Sequence, residues 1–362
     1  MKLPAETPRR KIRVLIVEDS PTIANILTLM LQDANDVEII GRAEDGAEGA
    51  RMAARLTPDV ITMDIRMTRM DGLEATRKIM QTCPTPIVVV ANSVQDTDFN
   101  ISFKAIEAGA LTVVEKPRGL TNSDFNAIQN QLISAVRMVA GVKVIARWPS
   151  APTLKAPHGL PHALQNRQFE VVAIAASTGG PGVIKQILSQ LPENFSIPIV
   201  VVQHITTGFS DQMAAWLNSE VKLKVAVAKM GDRLEAGRVL VAPSDRHMLV
   251  TPARLIAVMD SPPVRGQRPS AEHLFLSLSQ SCRAATLGIV LTGMGDDGAD
   301  GIQKLGKTGA YIIAQNEETS VVFGMPAEAI RRGVVDEVLS PDEIARTLLA
   351  LHKAGQGHTR LM

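Results

Sequence analysis

Apolar and polar positions alternate in two separate blocks along the chain. In the first block, strand-length apolar runs occupy positions 13–17, 37–40, 59–63, 86–91 and 111–114. Between them, segments 22–32, 47–56, 73–81 and 97–108, and a last one from 124, carry apolar residues at helical spacing. Five strands alternating with helices predict a parallel, doubly wound sheet, because parallel neighbours require crossover connections. The rhythm breaks at 148–168, where four prolines sit among residues of mixed polarity without a period. That stretch reads as a linker. A second block restarts at Phe169, with apolar runs at 171–176, 197–202, 238–242, 286–291 and 310–314 and helical spacing at 183–190 and 299–305. Its middle, 219–270, is less regular and is expected to contain antiparallel strands. The fold class is therefore α/β, with a first domain at 11–140, a linker at 141–168 and a second domain at 169–355.

Composition narrows the function classes. A chain of 362 residues with 45% hydrophobic positions is long enough for two cores. Lys and Arg number 38 against 37 Asp and Glu, so no basic excess points to nucleic acid. Aromatic residues make up only 3%, too few for base-stacking platforms. Cys83 and Cys282 have no metal-ligand spacing and read as reduced thiols. The N-terminus is charged and carries Pro4 where a signal peptide needs an apolar stretch, and no apolar run approaches membrane-spanning length. A cytoplasmic protein without membrane insertion is expected.

In doubly wound sheets, ligands bind beyond the carboxyl ends of the strands. The first block places its unusual polar residues there: Glu18 and Asp19 after the first strand, Asp64 after the third, Lys116 after the fifth. Acidic residues at strand ends also cap helices, as Asp19-Ser20-Pro21 is able to do. Three carboxylates in one crevice repel one another unless a hard cation joins them, and Mg²⁺ suits an oxygen donor set. A carboxylate beside such a cation and a lysine is suited to accept a phosphoryl group.

The second block repeats one design three times, a buried strand followed by a polar residue and a turn: VVAIAAS ending at Ser177, IPIVVVQH ending at His204, and LGIVLTGMGDDG containing Asp297. On a parallel sheet these three meet above the strand ends. A serine needs a base to become nucleophilic, and a histidine needs an acid to fix its tautomer. The chain order Ser, His, Asp and the absence of Gly-x-Ser-x-Gly set this apart from α/β-hydrolases. The turn after Ser177 offers main-chain N–H groups near Thr178 to an oxyanion, and Met294 N–H is a second candidate. Alternatives stand beside each residue. Ser177 and Asp297 each precede a helix that they are able to cap, Asp296 competes for the acid role, and 293–298 matches G-x-G-x-x-G with Glu317 downstream.

The segments VLIVEDSPTIANIL, MDIRMTRMDGLEATRKI and AGALTVVEKP resemble response-regulator receiver domains over about residues 11–135. The resemblance implies a flavodoxin-like fold, Asp64 as phosphoacceptor and a histidine kinase as phosphodonor. It implies that Asp19 ligates Mg²⁺ directly, Glu18 through water and Arg66 through its carbonyl, and that Lys116 contacts the phosphoryl group. Asn92, with Ser93 beside it, stands at the switch position. Glu18 replaces the usual aspartate and Thr68 the usual proline. AIAASTGGP, VVQHITTGFSDQMAAWLN, LVAPSDRHML, PPVRGQRPSAEHLF, GIVLTGMGDDGADGI and AQNEETSVVFGMPAEAI resemble CheB-type chemotaxis methylesterases over about 169–352. That likeness implies cofactor-free hydrolysis of glutamate γ-methyl esters on chemoreceptor cytoplasmic domains, with deamidation of receptor glutamines. Ser177 is then the nucleophile, His204 the general base and acid, and Asp297 the orienting acid. It also implies that the receiver restrains the esterase until Asp64 is phosphorylated. Arg265 and Gln267 depart from the usual Asn and His of P-P-V-N-G-H-R-P-S.

Overall fold

The computed structural model describes residues 10–91, 103–117, 125–142, 144, 162–165, 167–205 and 208–359, without the side chains of 162 and 356–359. The chain divides into two compact units, Met1–Pro149 and Ser150–Met362. Most of the expected linker, and Asn92 and Ser93, lie outside the described residues.

The first unit is a five-stranded parallel sheet of β1 (Ile12–Val17), β2 (Val37–Ala43), β3 (Val60–Asp64), β4 (Ile87–Ala91) and β5 (Thr112–Glu115). Its order is β2-β1-β3-β4-β5, so the chain changes direction between β1 and β3. β3 and β4 are buried along their whole length, as expected of strands covered on both faces. Three connecting helices carry side-chain caps. Ser20, Asp45 and Asp71 accept from the main chain of the first turns of helices Pro21–Gln32, Gly46–Leu56 and Gly72–Thr82. Gly72 is required by a close approach: a Cβ there would come 2.0 Å from the Asp64 carbonyl oxygen.

The second unit contains a seven-stranded parallel sheet in the order β14-β13-β12-β6-β7-β9-β8. Here β6 is Val171–Ala176, β7 Ile199–Gln203, β8 Lys224–Val227, β9 Arg238–Val241, β12 Thr286–Val290, β13 Tyr311–Gln315 and β14 Glu337–Leu339. The irregular middle supplies the expected antiparallel pair, β10 (His247–Val250) with β11 (Ile256–Met259), but it also supplies the parallel edge strand β8. A core from β6, β7, β9, β12, β13, the β10–β11 hairpin and helix Ala271–Ser281 lies on one side of this sheet. The direction changes at β6, which has β7 on one side and β12 on the other. Register then decides who meets whom. Ala176 pairs with Gln203 and Ala175 with Val290, so the residues just past these strands are neighbours.

Candidate active site and acidic cluster

Glu18, Asp19 and Asp64 each offer a carboxylate oxygen within 4.8 Å of the others at the β1–β3 switch point. Lys116 follows β5, and its Nζ lies 2.9 Å from both Glu18 Oε2 and Asp64 Oδ2. Ile65 N–H donates to Asp64 Oδ1 at 2.8 Å and Ser20 N–H to Glu18 Oε1 at 3.2 Å. Thr68 N–H donates to Asp19 Oδ2 at 3.2 Å, a bond that a proline at 68 is unable to make. Arg66 lies two residues past Asp64 on the same loop. Burial raises the pKa of Asp64, and burial followed by the charge of Asp64 pushes Glu18 up to about 7. Burial opposes the charge of Lys116, but Asp64 and Glu18 outweigh it and raise its pKa. One ammonium among three carboxylates leaves the cluster short of positive charge, which fits a divalent cation with oxygen ligands.

In the second unit, Ser177 follows β6 and is buried, and its N–H donates to Thr292 O at 3.0 Å. It does not cap the next helix. Helix Gly180–Leu188 starts from Gly179, at φ +78°, without a side-chain cap. His204 directly follows β7, and its Nε2 lies 2.7 Å from Asp297 Oδ2. His204 Nδ1 is buried without a hydrogen-bond partner. Asp297 does not cap either, since helix Ala299–Lys307 starts from Gly298 without a side-chain cap. Its Oδ1 instead accepts from Ser270 Oγ, and Ala271 N–H donates to Oδ2 at 2.7 Å. Burial raises a carboxyl's pKa, yet the His204, Ser270 and Ala271 contacts outweigh it and hold Asp297 below the usual carboxylate range. Asp296 points elsewhere. Its side chain is 54% exposed and pairs with Arg265. The contest between neighbouring aspartates thus has a geometric answer, because Asp297 faces the imidazole and Asp296 faces solvent.

The glycine-rich loop closes on the serine. A Cβ on Gly293 would come 2.7 Å from Ser177 Cβ, so the loop abuts the hydroxyl-bearing carbon directly. Met294 is next in the chain, with its main chain beside Gly324, and is 51% exposed. Thr178 is buried and its carbonyl accepts from Thr292 Oγ1 at 3.0 Å. The G-x-G-x-x-G match at 293–298 therefore abuts Ser177 at its first glycine and carries the buried Asp297.

Comparison with known proteins bears on both halves. The family model described as CheB methylesterase matches residues 172–348, and that of the response regulator receiver domain matches 14–123. A protein-glutamate methylesterase/protein-glutamine glutaminase 1 of Syntrophus aciditrophicus is 44% identical over 94% of this chain and 98% of that one. The chain belongs to the CheB methylesterase family. A relative of the same kind from Myxococcus xanthus, numbered 4, is 41% identical over 96% of this chain and 98% of its own. A crystal structure of the Thermotoga maritima CheB methylesterase catalytic domain is similar at 35% identity, covering 51% of this chain and 99% of that chain, with a TM-score of 0.49.

Within this family frame, several site residues escape a reading by motif. Ser270 performs two tasks, accepting from Glu272 N–H to start helix Ala271–Ser281 and donating to Asp297. Its own N–H donates to His247 Nδ1, buried behind it at 3.2 Å. Gln203 lies between the serine and histidine turns. The capping pattern S-A-E-H at 270–273 was the available signal for Ser270. Gln203 gave none, as a polar residue closing an apolar strand.

Proposed function

We propose that this chain hydrolyses glutamate γ-methyl esters on chemoreceptor cytoplasmic domains and deamidates receptor glutamines, under control of phosphorylation at Asp64. The observation that carries the catalytic half is the buried 2.7 Å pair of His204 and Asp297, one strand away from Ser177. With Nε2–H donated to Asp297, the imidazole lone pair is on Nδ1, the nitrogen left without a partner. His204 Nδ1 takes the Ser177 proton as Oγ bonds to the ester carbon, and Asp297 stabilises the imidazolium. Main-chain N–H groups at Thr178 and Met294 receive the oxyanion. The carbon–oxygen bond to the methoxy group then breaks, and His204 returns its proton to release methanol. Water, deprotonated by the same nitrogen, attacks the acyl-serine, frees glutamate and restores Ser177. With glutamine the leaving group is ammonia, and the remaining steps are the same.

In the first unit, Asp64 accepts the phosphoryl group from a histidine kinase. Its Oδ attacks phosphorus while the phosphorus–nitrogen bond of the phosphohistidine breaks. Glu18, Asp19, Asp64 and the Arg66 carbonyl are the groups that would hold Mg²⁺. When bound, that ion supplies positive charge to the carboxylates and the incoming phosphoryl oxygens. Lys116 adds a fixed positive charge beside Asp64, and the switch role belongs to Asn92 and Ser93. The ester chemistry uses only this chain's own groups. Among the described residues no helix is long and apolar enough to cross a membrane, and we place the protein in the cytoplasm with receptors and kinase as partners.

The test is methanol release from methylated receptor cytoplasmic domains. Ser177→Ala is expected to lower turnover by several orders of magnitude. Retention of more than about a tenth of the wild-type rate overturns the triad.

A further inference from the structure

Past the last rung of the β6–β7 ladder, where His204 N–H donates to Ala176 O at 2.9 Å, the two chains diverge. Ser177 enters the turn before helix Gly180–Leu188, and His204 enters the loop before helix Ser210–Glu220. Main-chain hydrogen bonding between the strands ends there, although the proposed reaction needs Ser177 and His204 in fixed relative positions. Among the described residues, one side chain spans the gap. Gln203 Nε2 donates to Ser177 O at 2.8 Å and to His204 O at 2.8 Å.

We propose that Gln203 is a positioning residue that uses both hydrogens of one amide to lock the nucleophile's main chain to the base's main chain. This inference rests on the Ser177 and His204 assignment above. Gln203 is 3% exposed, so it acts from beneath the site. It is the final residue of β7 and pairs with Ala176, which roots it in a fully buried strand of the sheet. Its orientation is determined by chemistry. A carboxamide has two donor hydrogens on nitrogen and none on oxygen, and the two groups it faces are both carbonyls. Turning the amide over would set three carbonyl oxygens against one another in a dry site. The opposite end is set by space, since Gln203 Oε1 is buried without a hydrogen-bond partner. Gln203 Oε1 lies where a Cβ on Gly180 would come within 2.1 Å, so the glycine at 180 makes room for the amide. Glutamine at 203 and glycine at 180 thus form one device. Near-attack geometry is sensitive to displacements of about 1 Å, which cost on the order of 100-fold in rate. Loss of the bridge should therefore appear in the chemical step and leave substrate binding and the base's proton affinity alone.

The experiment uses the full chain with Mg²⁺ and a small phosphodonor, and compares wild type with Gln203→Met, Gln203→Asn and Ser177→Ala. Methionine keeps the volume and removes the donors, whereas asparagine keeps the amide but is too short to reach both carbonyls. The readouts are kcat and KM for methanol release, the pH midpoint of kcat, the rate of covalent labelling by a fluorophosphonate, and thermal unfolding. For Gln203→Met we expect kcat and labelling rate to fall together by about 10–100-fold, with KM within about twofold and the pH midpoint unmoved. If Gln203→Met does not unfold cooperatively, Gln203→Asn carries the test with the same expected pattern. A folded variant that turns over and labels within about threefold of wild type overturns the bridge. A loss confined to KM, or a moved pH midpoint, overturns it as well. Ser177→Ala separates the two levels. If it still labels or turns over, the nucleophile assignment fails; if it is inert while the Gln203 variants run at full speed, only the bridge fails.

Discussion

The acidic cluster and the proposed catalytic site solve one placement problem and reach opposite electrostatic states. Both sit beyond the carboxyl ends of parallel strands where the chain changes direction, between β1 and β3 in one unit and around β6 in the other. Both bury a carboxylate. Asp64 shares its pocket with Glu18 and Asp19 against a single lysine, and Glu18 is pushed up to about 7. Asp297 collects donors from His204, Ser270 and Ala271, and its pKa is lowered. A buried carboxylate short of partners is built to receive charge, and one saturated with partners is built to hold another group still. The first site is completed by what arrives. In the second, the carboxylate already has its partners.

The sharpest way to break this comparison is at the saturated carboxylate. Asp297→Asn keeps the shape but exchanges an acceptor for a donor toward His204, which favours the wrong imidazole tautomer. Turnover of methyl ester is expected to fall by about 10,000-fold, as in other triads that lose this charge. Asp296→Asn touches an exposed pair with Arg265 and should stay within about threefold. Rates measured on the same receptor substrate decide, and the reverse pattern would move the acid to Asp296.

A smaller effect links the two units. If the acidic cluster is the regulatory input, phosphodonor with Mg²⁺ should raise methyl-ester turnover of the full chain by about 5–150-fold, the usual range of coupling between sites. Asp64→Asn should incorporate no phosphate and show no acceleration. Phosphate on another residue would remove Asp64 from the scheme, and incorporation indifferent to a chelator would remove Mg²⁺ from it.

Much of this was legible in the sequence, for identifiable reasons. Strands β1, β3, β6 and β7 announce themselves because burial demands largely apolar runs, and Glu18, Asp64, Ser177 and His204 stand at or just past their ends. The choice between Asp296 and Asp297 was not legible locally, because adjacent residues in a tight turn differ only in direction. Ser270 decides it from 27 residues away along the chain. The capping roles open to Ser177 and Asp297 failed because Gly179 and Gly298, both at positive φ, turn the chain into the helices instead. Edge strand β8 was missed because its four residues begin with an exposed lysine and give little pattern. The expected site residues Asn92 and Ser93 lie outside the described residues.

The charge deficit of the acidic cluster can be sharpened by pH. Burial and the Asp64 charge favour the neutral form of Glu18 in the folded protein, up to about pH 7, against 4.5 for an ordinary glutamate. The fold binds this proton more tightly than the unfolded chain does. Without metal, this group's contribution to stability therefore falls as pH rises from 4.5 through 7. Cation binding needs the ionised form, so apparent Mg²⁺ affinity should rise by up to about tenfold per pH unit below 7 and level off above it. Calorimetric titration between pH 6 and 8 measures this, and Glu18→Gln should flatten the slope. A wild-type slope of zero would show that Glu18 is already ionised.

The smallest expected effect lies at the rim of the catalytic unit. Arg265 and Gly266 both have positive φ, 50° and 79°, between the bridged residues Val264 and Gln267. That is the backbone of a two-residue hairpin turn that prefers Asn-Gly. Arginine pays a conformational penalty there, and in return its guanidinium reaches Asp296 and Asp300. These pairs are about half exposed on the acidic side, where an ion pair contributes roughly 0–1 kcal/mol. Arg265→Asn removes the pairs and relaxes the turn, so the two changes oppose each other. Its melting temperature should stay within a few degrees of wild type and its kcat within about threefold. Arg265→Ala loses the pairs without relieving the turn and should be the less stable of the two. A tenfold loss of kcat in Arg265→Asn would mean that the exposed latch on Asp296 sets the aim of Asp297. The acid would then depend on the surface as well as on Ser270 beneath it.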